Sequence, residues 1–225
     1  YSFTSDGNAT DSTGNLTSVT AWTSAAQNGD HTYGYRLGGW SGQNIIDKYQ
    51  FGTGNDATDV GDCLSSGNHG TGNSSADYAY TIGGSPSTIE KTAFASDANA
   101  TSVGTGGRGH GAYTGFSSTT HGYAAGGSDG ISQVDKWSFA SDGNSTDVGD
   151  MVNPGYGGGG HSSDSAGYRT GGYSTPTYYN VIEKMPFATD SHADTTADLT
   201  RAPDTAGSNS STTNGYSCGG HAGGY

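Results

Sequence analysis

A tyrosine followed three residues later by Gly-Gly occurs five times in this chain, with the glycine pairs at 38/39, 83/84, 126/127, 171/172 and 219/220 behind Tyr35, Tyr80, Tyr123, Tyr168 and Tyr216. The intervals are 45, 43, 45 and 48 residues. Such register along a whole chain means that one supersecondary unit is used repeatedly, each copy burying against the next what it cannot bury alone.

The rest of the unit lines up on that anchor. An apolar-acid-lysine step follows the glycines, as Ile46-Asp47-Lys48, Ile89-Glu90-Lys91, Val134-Asp135-Lys136 and Ile182-Glu183-Lys184, and these four lysines are the only ones in the sequence. Three residues past each lysine comes a phenylalanine, Phe51, Phe94, Phe139 or Phe187, and Phe3 holds the same phase in the first unit. Each phenylalanine leads into a polar turn, as in Ser96-Asp97-Ala98-Asn99 and Ser141-Asp142-Gly143-Asn144. Gly, Asn and Asp tolerate positive φ, so these stretches predict hairpin connections. In the clearest copy, Gly122 to Gly127 reads as one strand, Ser132 to Phe139 as a second and Ser145 to Gly149 as a third, with a weaker strand in the Gly/Ser-rich stretch before the next tyrosine.

Composition narrows the class. Only 30% of residues are hydrophobic while 41 are glycine and 15 tyrosine, so the chain predicts a thin apolar core in which aromatic packing between units carries the stability. Glycine and threonine density argues against helices. A net charge of −13 without any basic cluster excludes a nucleic-acid partner, which needs a basic stripe for phosphates. No stretch approaches the roughly 18 apolar residues of a spanning helix, so membrane insertion is not expected. The chain starts at Tyr1 rather than Met, which points to an upstream portion, and the two cysteines, Cys63 and Cys218, sit at different phases of the unit and read as free thiols.

Four short antiparallel strands per unit make one propeller blade. The expectation is an all-β, five-bladed β-propeller over residues 1–225, of about 45-residue units (approximately 1–47, 48–90, 91–135, 136–183 and 184–225), with the ring closed by the N- and C-terminal strands. The strands that carry the pattern, Tyr80-Thr81-Ile82-Gly83-Gly84 with Ile89-Glu90-Lys91, and Tyr123 to Gly127 with Val134-Asp135-Lys136-Trp137, resemble Kelch repeats. The tryptophan usual in the fourth Kelch strand is missing, and Thr-Asp-Val-Gly-Asp stands in its place. Residues 139 to 150, Phe-Ala-Ser-Asp-Gly-Asn-Ser-Thr-Asp-Val-Gly-Asp, look like the Gly/Ser/Asp-rich propeller repeats of structural proteins of marine tailed phages, cyanophages among them.

Nothing in the sequence matches a nucleophile elbow, a phosphate loop or an i, i+4 histidine pair. Alternating oxygens in the Asp-Gly-Asn turns fit Ca2+ chemistry, but the spacing varies between copies and lacks a twelfth-position glutamate, so hairpin turns without a cofactor are the favoured reading. The acids Asp47, Glu90, Asp135 and Glu183 recur with the repeat, whereas a glycosidase pair would break it, and pairing with the adjacent lysines is expected. Aromatics in the loops after Gly-Gly do break the repeat: Trp40, Tyr173, Tyr178 and Tyr179, with Tyr225 near the same phase, are the candidate ligand-binding residues. The resemblance then implies a non-enzymatic virion structural or attachment protein, in a tail fibre, neck or capsid appendage, located on the virion surface or outside cells, with other virion or surface proteins or host glycan as partners. A secreted or cell-surface lectin is the alternative, and a polysaccharide-degrading enzyme the third reading.

Overall fold

A computed structural model describes residues 13–40, 42–65, 69–83, 87–107, 111, 113–128, 130–211 and 213–221. Among them there are strands and turns but no helix. The first sheet contains β1 (Ser24–Gln27), β2 (Tyr33–Gly39), β3 (Gln43–Gln50) and β4 (Thr58–Asp62). The second contains β5 (His69–Ser74), β6 (Tyr78–Gly83), β7 (Thr88–Ala93) and β8 (Thr101–Thr105). The third contains β9 (Thr114–Ser117), β10 (His121–Ala125), β11 (Gln133–Ser138) and β12 (Thr146–Asp150). The fourth is made of β13 (Gly159–Ser162), β14 (Ala166–Thr170), β17 (Val181–Pro186) and β18 (Asp194–Asp198), with a small hairpin of β15 (Tyr173–Ser174) and β16 (Thr177–Tyr178) inserted. A last two-stranded sheet pairs β19 (Gly207–Ser210) with β20 (Gly215–Cys218).

All four larger sheets are antiparallel meanders in simple chain order. Each opens on the Gly/Ser-rich strand, continues through the Tyr-x-x-Gly-Gly and apolar-acid-lysine strands, and ends on the Thr-Asp-Val-Gly-Asp type of strand. The sheets therefore straddle the sequence units, the first one running from 24 to 62 across the 47/48 boundary. Successive opening strands lie side by side, β1 by β5, β5 by β9, β9 by β13 and β13 by β19.

That approach is so close that it selects glycine. A Cβ at Gly72 would overlap the Ala25 carbonyl, one at Gly115 the Thr71 hydroxyl, and one at Gly160 the Gly115 carbonyl. A ladder of serines runs along the same strands. The amides of Gln27, Ser117 and Ser162 donate to the hydroxyls of Ser74, Ser162 and Ser210 in the neighbouring sheet, at 3.1, 2.9 and 3.3 Å.

Among the described residues no sheet has a core of its own. The buried apolar side chains fall into three clusters, and each lies between two sheets: Tyr35, Leu37 and Ile46 of the first with Ala79 and Ala100 of the second; Tyr80, Ile82 and Ile89 with Ala124 and Trp137; Tyr123, Val134 and Met151 with Met185 and Ala193. Because both faces of a middle sheet are covered, central strands such as β6 are almost wholly buried rather than alternating. In each of the four larger sheets the pairing of the last two strands slips at one place, between Ile46/Asp47, Ile89/Glu90, Val134/Asp135 and Ile182/Glu183. Such a bulge adds one residue to the outer strand. In the first three sheets that residue is Val60, Val103 or Val148, and it packs against the inter-sheet cluster.

Gly160→Ala should lower the free energy of unfolding by about 1–3 kcal/mol or more, since the new methyl meets backbone rather than a movable side chain. Gly207→Ala is the control, because a Cβ there stands 3.6 Å from the Cys218 carbonyl in ordinary contact. Urea unfolding of both variants checks this, and equal midpoints would refute the close-approach explanation.

Candidate functional site

The repeat-equivalent charges come first, because they determine which groups are left for chemistry. Consecutive strand residues point to opposite faces, so Asp47 and Lys48 cannot share a partner, and the expected pairing of each acid with its adjacent lysine is not what forms. The lysines reach forward to the turn of the next sheet: Lys48 to Asp97 at 2.8 Å, Lys91 to Asp142 at 2.6 Å and Lys136 to Asp190 at 2.5 Å. Those aspartates hold positive φ, 43°, 53° and 44°, which presents their carboxylates to the neighbouring sheet. At least one carboxylate oxygen in each of these three turns thus accepts from an ammonium group.

The acids point the other way and are buried. Asp47 takes the Arg36 guanidinium through Nε at 3.0 Å and Nη2 at 2.6 Å, and also accepts from the Thr17 amide and hydroxyl. Glu90 accepts the Leu64 and Ser65 amides at 2.8 and 3.0 Å. Glu183 takes Arg169 Nε at 2.7 Å and the Asn153 amide at 2.7 Å. Glu90 and Glu183 therefore fasten the segment arriving from the preceding sheet, and Asp47 the segment that leads into the first sheet. Removing one member of a buried pair such as Arg169–Glu183 costs about 3–5 kcal/mol, because the other charge is left unpaired in the interior. Among the described residues no three His, Cys, Asp or Glu side chains converge in an arrangement that could hold a metal ion. Both cysteines are free, Cys63 buried with its thiol pushed up to about 12 mainly by desolvation, and Cys218 exposed.

The off-repeat aromatics fall into two groups. Trp40, at the end of the first Gly-Gly strand, meets Trp22 edge to face with ring centroids 4.9 Å apart. The two rings are 55% and 51% exposed, Trp22 and Trp40 respectively, and Trp22 sits at φ 53°. The Trp40 amide donates to the Ala21 carbonyl at 2.8 Å, which holds the two loops together. Exposed Leu16 and Val19 belong to the same N-terminal loop as Trp22.

The second group lies at the fourth sheet and the last hairpin. Tyr173 and Tyr178 face each other across the β15–β16 hairpin at 4.6 Å, Tyr156 meets Tyr173 edge to face at 5.7 Å, and Tyr178 lies 5.8 Å from the His221 ring. Reciprocal backbone bonds tie Tyr156 to Tyr173 and Asp204 to His221. Burial raises the Asp204 carboxyl above its ordinary range, and its Oδ1 is buried without a hydrogen-bond partner among the described residues. Tyr179 stands apart from the ring pairs, with its amide donating to the Gly172 carbonyl at 2.9 Å. Tyr225 lies outside the described residues.

Of the candidates from the sequence, then, Tyr173 and Tyr178 come together and Trp40 belongs elsewhere. Trp22 and Tyr156 escape a repeat-based reading because no residue type recurs at their places in the unit, whereas His221 directly follows its Gly-Gly pair, as Trp40 and Tyr173 follow theirs, and differs from them in being a histidine. The one signal available was that Trp22, Trp40 and Trp137 are the only tryptophans, and only Trp137 lies within the repeating strand pattern.

His161 reports on how the last hairpin docks. It is 5% exposed, with Nδ1 3.1 Å from the Asn209 carbonyl and Nε2 3.0 and 3.3 Å from the Thr170 and Ser217 hydroxyls. Desolvation lowers its pKa below the ordinary 6.5. A histidine that binds its proton less readily when folded favours unfolding as the pH falls, so its contribution is intact above 6.5 and is lost below it. The wild-type melting temperature should therefore drop between pH 7.5 and pH 5.5 by more than that of His161→Gln; identical slopes would remove His161 as the cause. No protein-family model matches this chain, and no curated protein sequence matches it.

Proposed function

We propose that the chain is a non-enzymatic virion structural or attachment module, a five-bladed propeller of Kelch-like repeats whose off-repeat aromatic surface binds another protein or host glycan. The observation that carries this reading is the Trp22–Trp40 pair, two large apolar rings held edge to face and about half exposed, while Tyr35, Tyr80, Tyr123 and Trp137 are buried between sheets. Large exposed rings present a flat apolar face with a polar edge, which suits the faces of sugar rings and the centres of protein interfaces.

The case against an enzyme rests on the acids. Asp47, Glu90 and Glu183 are buried: Asp47 and Glu183 hold an arginine of the neighbouring strand in their own sheets, and Glu90 and Glu183 accept amides of the segment arriving from the preceding sheet, so they are spent on architecture. The five-blade ring draws its support from four stacked sheets and a fifth partial one in unbroken succession. A phage tail fibre, neck or capsid appendage as the setting, on the virion surface or outside cells, rests on the resemblance of residues 139 to 150. A secreted lectin would use the same rings, and the Tyr173–Tyr178 hairpin gives it a second aromatic surface.

Screening on a glycan array and on host-cell envelopes tests the reading. Binding should fall by about 30-fold in Trp40→Ala, the loss of a central aromatic worth about 2 kcal/mol. Binding unaffected by removal of both Trp22 and Trp40 would refute the assigned surface, and turnover of a polysaccharide would refute the non-enzymatic reading.

A further inference from the structure

The seams between sheets are copies of one design. Tyr35 stacks on Phe94 at 4.9 Å, Tyr80 on Phe139 at 4.7 Å and Tyr123 on Phe187 at 5.0 Å, each with the lysine to aspartate bridge beside it. Equivalent positions of neighbouring sheets therefore stand side by side, as the serine ladder shows for the last residues of the opening strands. The same is true at the other end of those strands, where the Gly-Gly pairs lie.

There the backbone repeats and the side chains do not. The residue after Gly-Gly donates its amide to the carbonyl three residues before the opening strand: Trp40 to Ala21, Tyr173 to Tyr156 and His221 to Asp204, each at 2.8 Å, and Ser128 to Gly111 at 3.4 Å. The residue after the acceptor takes positive φ, 53° at Trp22, 76° at Gly157 and 53° at Thr205. Successive copies are bonded to one another along this rim, Gly127 donating to the Gly155 carbonyl and Gly172 to the Pro203 carbonyl at 2.9 Å. The Trp22–Trp40 and Tyr156–Tyr173 pairs are therefore two decorations of one platform. Sequence spacing hides this, because Ala21 lies 14 residues before Tyr35 while Gly111, Tyr156 and Asp204 each lie 12 before their tyrosine.

At the fourth sheet the platform carries a row of rings. Tyr156, Tyr173, Tyr178 and His221 follow one another at centroid distances of 5.7, 4.6 and 5.8 Å, the three tyrosines half-buried and His221 exposed. The rings lie against one another rather than around a space, so they offer a narrow strip and leave no cage for an ammonium group. Four such rings expose well under the roughly 800 Å² that each side of a stable protein interface buries. The segments that carry the tyrosines, residues 153–160 and 170–181, contain no charged side chain, and Thr175, Thr177 and Asn180 are exposed beside them. Asp204, next to the row, has its Oδ1 buried over Gly157, in the space that a Cβ there would fill. A chain of sugar rings complements such a strip, with its C–H faces on the aromatics and its hydroxyls bonded at the edges.

We infer that Tyr156, Tyr173 and Tyr178 form a second binding strip, for an uncharged glycan, on the rim that carries Trp22 and Trp40. The inference rests on the attachment reading and deepens it by adding a site and choosing its ligand class. Two sites on one chain hold a long polysaccharide more tightly than a short oligosaccharide when both engage.

Arrays of neutral polysaccharides, with polygalacturonate and chitosan as charged counterparts, test this on the full chain. A neutral glycan should be bound, and Tyr173→Ala with Tyr178→Ala should weaken its binding about 10-fold. The melting temperature should hold, since neither ring belongs to an inter-sheet cluster, and Tyr178→Phe should bind as the wild type does. A second measurement leaves the strip intact: in Trp22→Ala with Trp40→Ala, the remaining binding should show saturation transfer by NMR from tyrosine ring protons to the sugar. No such transfer, no neutral glycan bound, or a preference for a charged polysaccharide overturns the inference. Undiminished binding by the tyrosine variant also overturns it; if the tryptophan variant is then impaired the attachment reading stands, and if neither pair matters both fall.

Discussion

Stacking between sheets is the interaction on which everything else in this protein depends. A four-stranded meander of four to eight residues per strand, rich in glycine and serine, has too little apolar side chain to fold alone. The tyrosine of one sheet on the phenylalanine of the next makes up that deficit, with a lysine bridge beside it. Aromatic pairs of this kind are worth about 0.5–1.5 kcal/mol beyond the area they bury. The partly exposed bridges add about 0–1 kcal/mol each and contribute more to register than to stability. Stability in such an array is a sum over neighbours.

The glycines follow from the same constraint. They are dense in the opening strands because backbone there meets backbone of the adjacent sheet, and at Gly72, Gly115 and Gly160 no side chain of any kind fits. The Gly-Gly pairs answer a different need. Gly126 and Gly171 hold φ of 72° and 71°, turning the chain out of its strand at the edge of each inter-sheet cluster. The bulge opposite the acid aims a valine into the cluster in the first three sheets, so a single added residue serves the packing between sheets.

Much of this was legible in the sequence. Strand content and the phase of each strand could be read because the repeat samples the same environment several times, which averages out local ambiguity. The pairing of Asp47 and its equivalents was not legible from adjacency, since neighbouring residues on a strand face different sheets and the partners, Arg36 and Arg169, appear in only some copies. The site suffered in the same way. Trp40, Tyr173 and Tyr178 stand out as departures from the repeat, but their partners Trp22, Tyr156 and His221 lie in connecting segments whose course depends on tertiary contacts.

The exposed Trp22 and Trp40 take no part in the inter-sheet clusters, so the surface they form is separate from the packing of the sheets. That division holds only if the sheets are fastened to one another rather than stable singly. Native-state hydrogen exchange on Phe139→Ala measures this directly. Loss of protection in β5–β8 and β9–β12 together, by the same free energy, is the predicted result, because Phe139 belongs to the cluster between them. Protection lost in β9–β12 alone would mean that each sheet carries its own stability, and would contradict the picture of a protein held together at its seams.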